Sequence, residues 1–238
     1  MENASYATLT RMSGLLREID TVANNIANMS TTGFRREGLV FAEFIRDTGP
    51  GQASLSMGYA NARASDLTQG ALTRTNGTFD LAIEGPGFFL VDTPGGERLT
   101  RAGAFTPNEV GDIVTPDGHR LLDEGGAPVF VPPDAASVSI AADGTLSADG
   151  QPLGRIGLYL PADPLDLARV EGVAFAAPGG AEPIEGRMLQ GFIEESNVNA
   201  VTEIARMIEV QRAYELGQGF LDKEDERIRS AIRTLTSS

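Results

Sequence analysis

Apolar residues recur at spacings of three and four along both ends of the chain and give way to short alternating runs in between. Over residues 3–28, Leu9, Met12, Leu16, Ile19, Ala23 and Ile26 form a heptad-like seam. Leu15 and Val22 widen it, while Arg11, Arg17, Glu18 and Asp20 lie mostly away from it. A helix of about 26 residues, about 39 Å long, is predicted.

The far end, residues 199–236, predicts a second and longer helix. Asn199 suits its N-cap, and Glu203 places a negative charge in the first turn, where the helix dipole favours one. At 100° per residue, Met207, Val210, Tyr214, Leu221, Ile228, Ile232 and Leu235 form one long stripe. Val201, Ile204, Ala205 and Ile208 form a second patch, rotated by roughly 140°. Two separated apolar faces need two neighbours, and the first helix covers only one. The other either packs on the protein's own β region or is reserved for other subunits. Gly217 and Gly219 interrupt the helix at a cost of about 1 kcal/mol each relative to alanine, which predicts a bend or weak point there.

Between the two ends the pattern is that of β structure. All 13 prolines lie between Pro50 and Pro183, and 25 of the 28 glycines between Gly33 and Gly191, so the helix-breaking residues are confined to the middle. Strands are predicted at 78–83, 87–92, 98–105, 112–115, 128–132, 137–142, 145–148 and 155–161. Asn76-Gly77, Pro94-Gly95-Gly96, Asp117-Gly118, Asp143-Gly144 and Asp149-Gly150 separate them, and such pairs tolerate the positive φ of tight hairpins. The spacing fits antiparallel strands, not βαβ units. Residues 38–75 lack sustained periodicity and read as an extended connector or a loop ordered by a partner.

Composition narrows the function by exclusion. Nineteen basic residues against 33 acidic ones give a net charge of −14, which argues against nucleic acid as a partner. The absence of cysteine removes disulfides, thiolate metal sites and a cysteine nucleophile. No run approaches the roughly 18 apolar residues of a membrane span, and the start lacks the features of a secretory signal, so a soluble protein without membrane insertion is expected. The lone His119 sits in a predicted hairpin and reads as a surface residue. Glu194 and Glu195 are adjacent, so in an extended segment they point to opposite faces, and solvated charge is expected. Gly85-Pro86-Gly87 has a central proline and a following Phe-Phe strand, unlike a phosphate loop. No calcium-loop spacing occurs. No enzyme, cofactor or metal site is predicted.

The stretch VANNIANMSTTGFRR, residues 22–36, poses a question of its own. Asparagine is a mediocre helix former, yet Asn24 and Asn25 fall inside the periodic seam and Asn28 follows. Amides both donate and accept, and a buried asparagine fixes register in coiled coils. The three therefore read either as recognition groups near an inter-subunit seam or as a fraying helix end. Gly33 is expected to terminate the helix and Phe34 to anchor the following loop.

That stretch resembles the N-terminal signature of the rod and hook axial proteins of the bacterial flagellum. DLAIEGPGFFLV (80–91), TRAGAFTPNEVGDIVTPDGHRLL (100–122) and GFIEESNVNAVTEIARMIEVQRAYELGQGFLDKEDERI (191–228) agree with the same family in the same order. Length and opening are closer to its proximal-rod members than to the longer distal-rod or the multidomain hook members. The resemblance implies an α+β fold in which N- and C-terminal helices (1–36 and 191–238) pair as an antiparallel, coiled-coil-like inner domain. A connector (37–75) then leads to an antiparallel all-β outer domain (76–190). It implies a torque-transmitting structural subunit that self-associates, contacts other rod proteins, and is exported to the periplasm through the flagellar type III apparatus. The implied assembly interface comprises Leu9, Met12, Leu16, Ile19, Asn24, Asn25, Ile26, Asn28, Gly33 and Phe34 from the first end. From the last it takes Asn197, Asn199, Val201, Ile204, Met207, Ile208, Val210, Tyr214, Leu221 and Ile228. Two other classes fit the residues less well. One is a secreted β-rich module for cell-wall glycan with Tyr59 and Tyr159 as its platform, and the other is a carboxylate-dependent cell-wall hydrolase.

Overall fold

The computed structural model describes residues 2–46 and 55–236. The chain divides into two compact units, one of Met1–Ala27, Glu37–Asp66 and Asn199–Ser238, the other of Asn28–Arg36 and Leu67–Val198.

The first unit holds the two helices, α1 (Glu2–Ala27) and α2 (Ala200–Thr236), and a two-stranded antiparallel ribbon, β1 (Glu37–Arg46) with β2 (Leu55–Ser65). Asn199 caps α2 by accepting from the Thr202 amide at 3.1 Å. The helices pack antiparallel: Asn25 meets Glu203, Arg206 meets Glu18, and Met12 lies against Gly217. The face that α2 turns inward steps by four and three through Glu203, Met207, Val210, Tyr214, Gly217, Leu221 and Glu224, a heptad repeat.

On α1 the inward face is Met12, Leu15, Val22 and Asn25, while Leu9 and Leu16 are about half exposed. This corrects the expected seam. Glu18 and Asn25 take inward positions because each has a bonding partner on α2, and Thr21 is buried beside them with its hydroxyl donating to the Arg17 carbonyl of its own helix. The ribbon corrects the expectation of a connector at 37–75. Its period is hidden by a bulge between Val40 and Phe41, which shifts the register by one residue. Expectations for 47–54 lie outside the described residues.

Helix α2 also runs unbroken through Gly217 and Gly219, contrary to the expected bend. Gly217 lies in the inward repeat, where an added Cβ would stand 3.0 Å from Met12 Cγ; one at Gly219 meets nothing within 4 Å. Packing on α1 and the continuous hydrogen-bond ladder outweigh the propensity cost. Gly219→Ala is therefore expected to raise the stability of the helical pair by about 1 kcal/mol, and Gly217→Ala by clearly less. Thermal melts followed by helical circular dichroism check the difference.

The second unit is β-rich. Its labelled strands are β3 (Leu72–Arg74), β4 (Leu81–Glu84), β5 (Phe89–Thr93) and β6 (Gly96–Thr100). A seven-stranded antiparallel sheet runs in the order Ala168–Glu171, Ala174–Ala176, β6, β5, Arg120–Leu121, Ile113–Val114, Thr106–Pro107. Strand β5 is central and buried on both faces. Phe89 and Val91 enter one apolar cluster with Leu81, Phe105 and Leu121, whereas Leu90 joins Phe88, Leu99 and Phe175 in another. That explains the continuous apolar run of GFFLV in place of an alternating one.

The Asp149-Gly150 turn carries positive φ at both residues and joins Thr145–Ala148 to Gln151–Arg155. The predicted strand at 128–132 is reduced to isolated bridges at Pro128 and Phe130. Two short strands close the unit near its chain ends: Arg187–Gln190 pairs with β4, and Phe192–Glu194 with β3.

Candidate functional site

The signature residues near the two ends of the chain meet in two buried polar junctions, one in each unit. In the helical unit the Asn25 side chain is fully buried. Its Nδ2 donates to the Glu37 carbonyl at 2.8 Å and to Glu203 Oε2 at 3.0 Å, and its Oδ1 accepts from the Glu37 amide at 2.9 Å. The amide thus binds the start of β1 as a neighbouring strand would, while its second donor proton holds α2. Only asparagine has a short side chain with both functions. Glu203 is itself fully buried.

One turn further along α2, Arg206 donates to Glu18 Oε1 at 2.7 Å and to Glu209 at 2.7 Å. The bond with Glu209, then the bond and charge of Glu18, raise the Arg206 guanidinium above its ordinary pKa against the effect of burial. Within the chain, the Asn25 amide joins α1, the start of β1 and α2. Asn24 points outward, and Asn28 closes the turn after α1, where its side chain accepts from Thr31 Oγ1.

In the β-rich unit the centre is Glu194, fully buried. One of its oxygens accepts from Arg35 Nη2 at 2.5 Å and from the Gly70 amide at 2.8 Å; the other accepts from Arg101 Nη1 at 3.1 Å. Arg101 also donates to the Gly85 carbonyl at 2.6 Å, which gives the Gly85-Pro86-Gly87 turn a structural task. This overturns the reading of Glu194 as solvated charge; that description fits only its neighbour Glu195, which is exposed.

Two guanidinium groups share one carboxylate. Burial, reinforced by the nearby charge of Arg35 and opposed by Glu194, lowers the Arg101 pKa to about 10. Arg35 Nε and Nη1 and Arg101 Nε find no acceptor among the described residues. The segment 28–36 is seated around this centre. Gly33, at φ +70°, donates to the Glu194 carbonyl at 2.7 Å and lies so close to Ala102 that a Cβ would sit 2.2 Å from its nitrogen. Helix α1 has already ended at Ala27, so Gly33 does not terminate it; the residue permits this close approach. Phe34 is buried under the Arg169 guanidinium, 4.3 Å from its ring centroid. Asn197 accepts from the Arg36 amide at 2.6 Å and donates to the Thr68 carbonyl at 2.9 Å.

The remaining residues of the expected interface divide by exposure. Val210 is 2% exposed, and Ile19, Ile26, Met207, Tyr214 and Leu221 are half-buried. Among the described residues of the helical unit, uncovered apolar strips include Tyr6, Leu9 and Leu16 on α1, Val201, Ile204 and Ile208 at the start of α2, and Ile228, Ile232 and Leu235 at its end.

Tyr159 is 5% exposed and donates to the Asp123 carbonyl, so it offers no glycan platform; the Tyr59 side chain lies outside the described residues. His119 borders a hollow of about 740 Å³ lined by Thr31, Thr32, Arg98, Thr100 and Val173 among others. No hydrogen-bonded relay joins it to a serine or carboxylate among the described residues. Sequence reasoning missed Arg35, Arg101 and Glu194 as a unit and Glu37 as the partner of Asn25; the one available signal was a charged residue inside each signature stretch.

Three family models match in chain order: a flagella basal body rod protein model over residues 6–35, the D1 domain of the flagellar hook protein FlgE/F/G over 82–148, and the C-terminal model of the flagellar basal body rod FlgEFG proteins over 189–234. The chain is 39% identical to the flagellar basal-body rod protein FlgF of Caulobacter vibrioides, covering 99% of this chain and 98% of that one. It is 36% identical to FlgF of Mesorhizobium japonicum, covering 100% and 99%. FlgG of Bacillus subtilis is 30% identical over 98% of each chain.

Proposed function

The chain belongs to the flagellar basal-body rod protein family, and on that premise we propose that it is a FlgF-like structural subunit of the rod, polymerising through its helical unit. As a rod protein it is structural rather than enzymatic, and its place is the flagellar basal body. A FlgG-like role is the weaker reading, since the FlgG relatives match at lower identity than the FlgF relatives cited above.

One observation carries the assembly reading: α1 and α2 satisfy each other along one face and leave apolar strips bare among the described residues. Covering Val201, Ile204 and Ile208 is worth about 25 cal/mol per Å² of apolar surface removed from water, and many equivalent contacts around a tube supply stiffness without any bound ligand. On this reading the terminal helices form the inner, axial part of the rod and residues 76–190 its outer part. Rod neighbours, FlgG among them, meet the uncovered helical faces. The subunit reaches the periplasm through the flagellar export apparatus and transmits torque there.

The test is Ile208→Asp. The side chain is 45% exposed, so the folded monomer tolerates the charge, with an expected cost within about 0.5 kcal/mol. A carboxylate buried against a neighbour is strongly unfavourable, so rod assembly and motility are expected to be lost. Normal motility in this variant refutes the assignment.

A further inference from the structure

The inward stripe of α2 is longer than the helix that covers it. Asn25 stands opposite Glu203 and Met12 opposite Gly217, so residue n of α1 faces about residue 228 − n of α2. Glu2, where α1 begins, then faces about residue 226. Among the described residues, the last turns of α2, from Ile228 to Thr236, face no residue of α1, an overhang of about nine residues or about 13 Å.

The stripe does not end where its cover does. Val210, Tyr214, Gly217, Leu221 and Glu224 step by four and three, and the same phase continues through Ile228, Ala231 and Leu235, with Ile232 beside it. Exposure changes sharply along it: Val210 is 2% exposed, whereas Ile228 is 51%, Ile232 55% and Leu235 79%. A surface shaped to receive an antiparallel helix over most of its length is thus repeated, bare, over its last nine or so residues.

We infer that this overhang is the seat for α1 of a second copy of the chain, which lays its uncovered strip of Tyr6, Leu9 and Leu16 onto Ile228, Ile232 and Leu235. The inference rests on the proposed self-association and specifies its seam. Three features favour this occupant. The vacant stretch continues the α1–α2 interface in unbroken phase, so a helix like α1 matches its geometry. The α1 strip is itself apolar and uncovered, and both strips belong to the same unit. The two patches differ, so the contact is heterologous, and each copy offers one seat and one filler. Repetition of such a contact generates an open filament unless the rotation happens to close a ring.

The chain contains no cysteine, which makes a direct test simple. Full-length Leu9→Cys and Ile232→Cys proteins carrying different mass tags are mixed, allowed to self-associate and mildly oxidised. Leu165→Cys, at a position 93% exposed in the β-rich unit, replaces Leu9→Cys as the control. The mixed disulfide between positions 9 and 232 is expected to form at least tenfold faster than that between 165 and 232. Equal rates in self-associated protein overturn the seam and leave the rod assignment standing. Failure of the unsubstituted chain to self-associate at any concentration removes both the seam and the proposed self-association. In parallel, Ile228→Ser with Ile232→Ser is expected to weaken self-association at least tenfold with an unchanged urea midpoint, and unchanged self-association counts against the seam.

Discussion

Glu194→Gln is expected to destabilise the β-rich unit by about 3–5 kcal/mol, the usual cost of removing one partner from a buried ion pair. The substitution keeps the volume of the side chain and an oxygen able to accept from the Gly70 amide. It removes the carboxylate that Arg35 and Arg101 share. Both guanidinium groups are then buried, close enough for the charge of one to act on the other, with no counter-charge among the described residues.

Glu195→Gln is the control. It changes the adjacent carboxylate, which is exposed and bonded only to Thr73 Oγ1 among the described residues, and should shift stability by no more than about 0.5 kcal/mol. Arg101→Met falls between the two. It deletes the surplus cation and leaves Arg35 and Glu194 as a matched pair, but strands the Gly85 carbonyl without its donor. Urea unfolding followed by near-ultraviolet circular dichroism ranks the three. If Glu194→Gln costs no more than Glu195→Gln, Glu194 does not hold the unit together.

The same residue marks the limit of what the amino-acid order reveals. Glu194 and Glu195 are indistinguishable as letters, and alternation places them on opposite faces without saying which face is inside. The choice is made by Arg35 and Arg101, which lie 159 and 93 positions earlier. No local pattern encodes that meeting.

The helices, by contrast, were legible from their apolar period, at 3–28 and 199–236, because a 3.6-residue period is a local property; the residue that ends α1 was not, since Gly33 lies six positions beyond it. Their pairing was legible in orientation but not in detail: Glu18 and Asn25 hold inward positions that a purely apolar criterion gives to Leu9 and Leu16. The ribbon at 37–65 escaped notice because its bulge breaks the alternation that would announce it. Gly217 misled for a different reason. Propensity counts only the cost of a glycine within its own helix, whereas here the absent side chain makes room for Met12 of the facing helix. Asn25 stood out as an unusual residue in a seam. What it binds is fixed by Glu37 and Glu203, and only the fold brings those to it.

Asn25→Asp should be the most damaging single-atom change in the helical unit. The replacement is nearly isosteric and keeps the acceptor for the Glu37 amide. It removes both donor protons, so the bonds to the Glu37 carbonyl and to Glu203 Oε2 are lost. A second carboxylate also lies where a 3.0 Å hydrogen bond had been. Losing two buried hydrogen bonds and setting a like charge beside Glu203 is expected to cost about 3 kcal/mol, read by helical circular dichroism in urea.

The decisive measurement is the double variant Asn25→Asp with Glu203→Gln. A glutamine at 203 can donate to the new carboxylate, which restores the bond between α1 and α2 with its polarity reversed, while the bond from position 25 to the Glu37 carbonyl stays lost. The double variant should therefore be more stable than the sum of the single losses implies, by about 1–2 kcal/mol of coupling. Strict additivity of the two substitutions would mean that Asn25 and Glu203 do not recognise each other. The register of the two helices would then have to come from the apolar repeat alone.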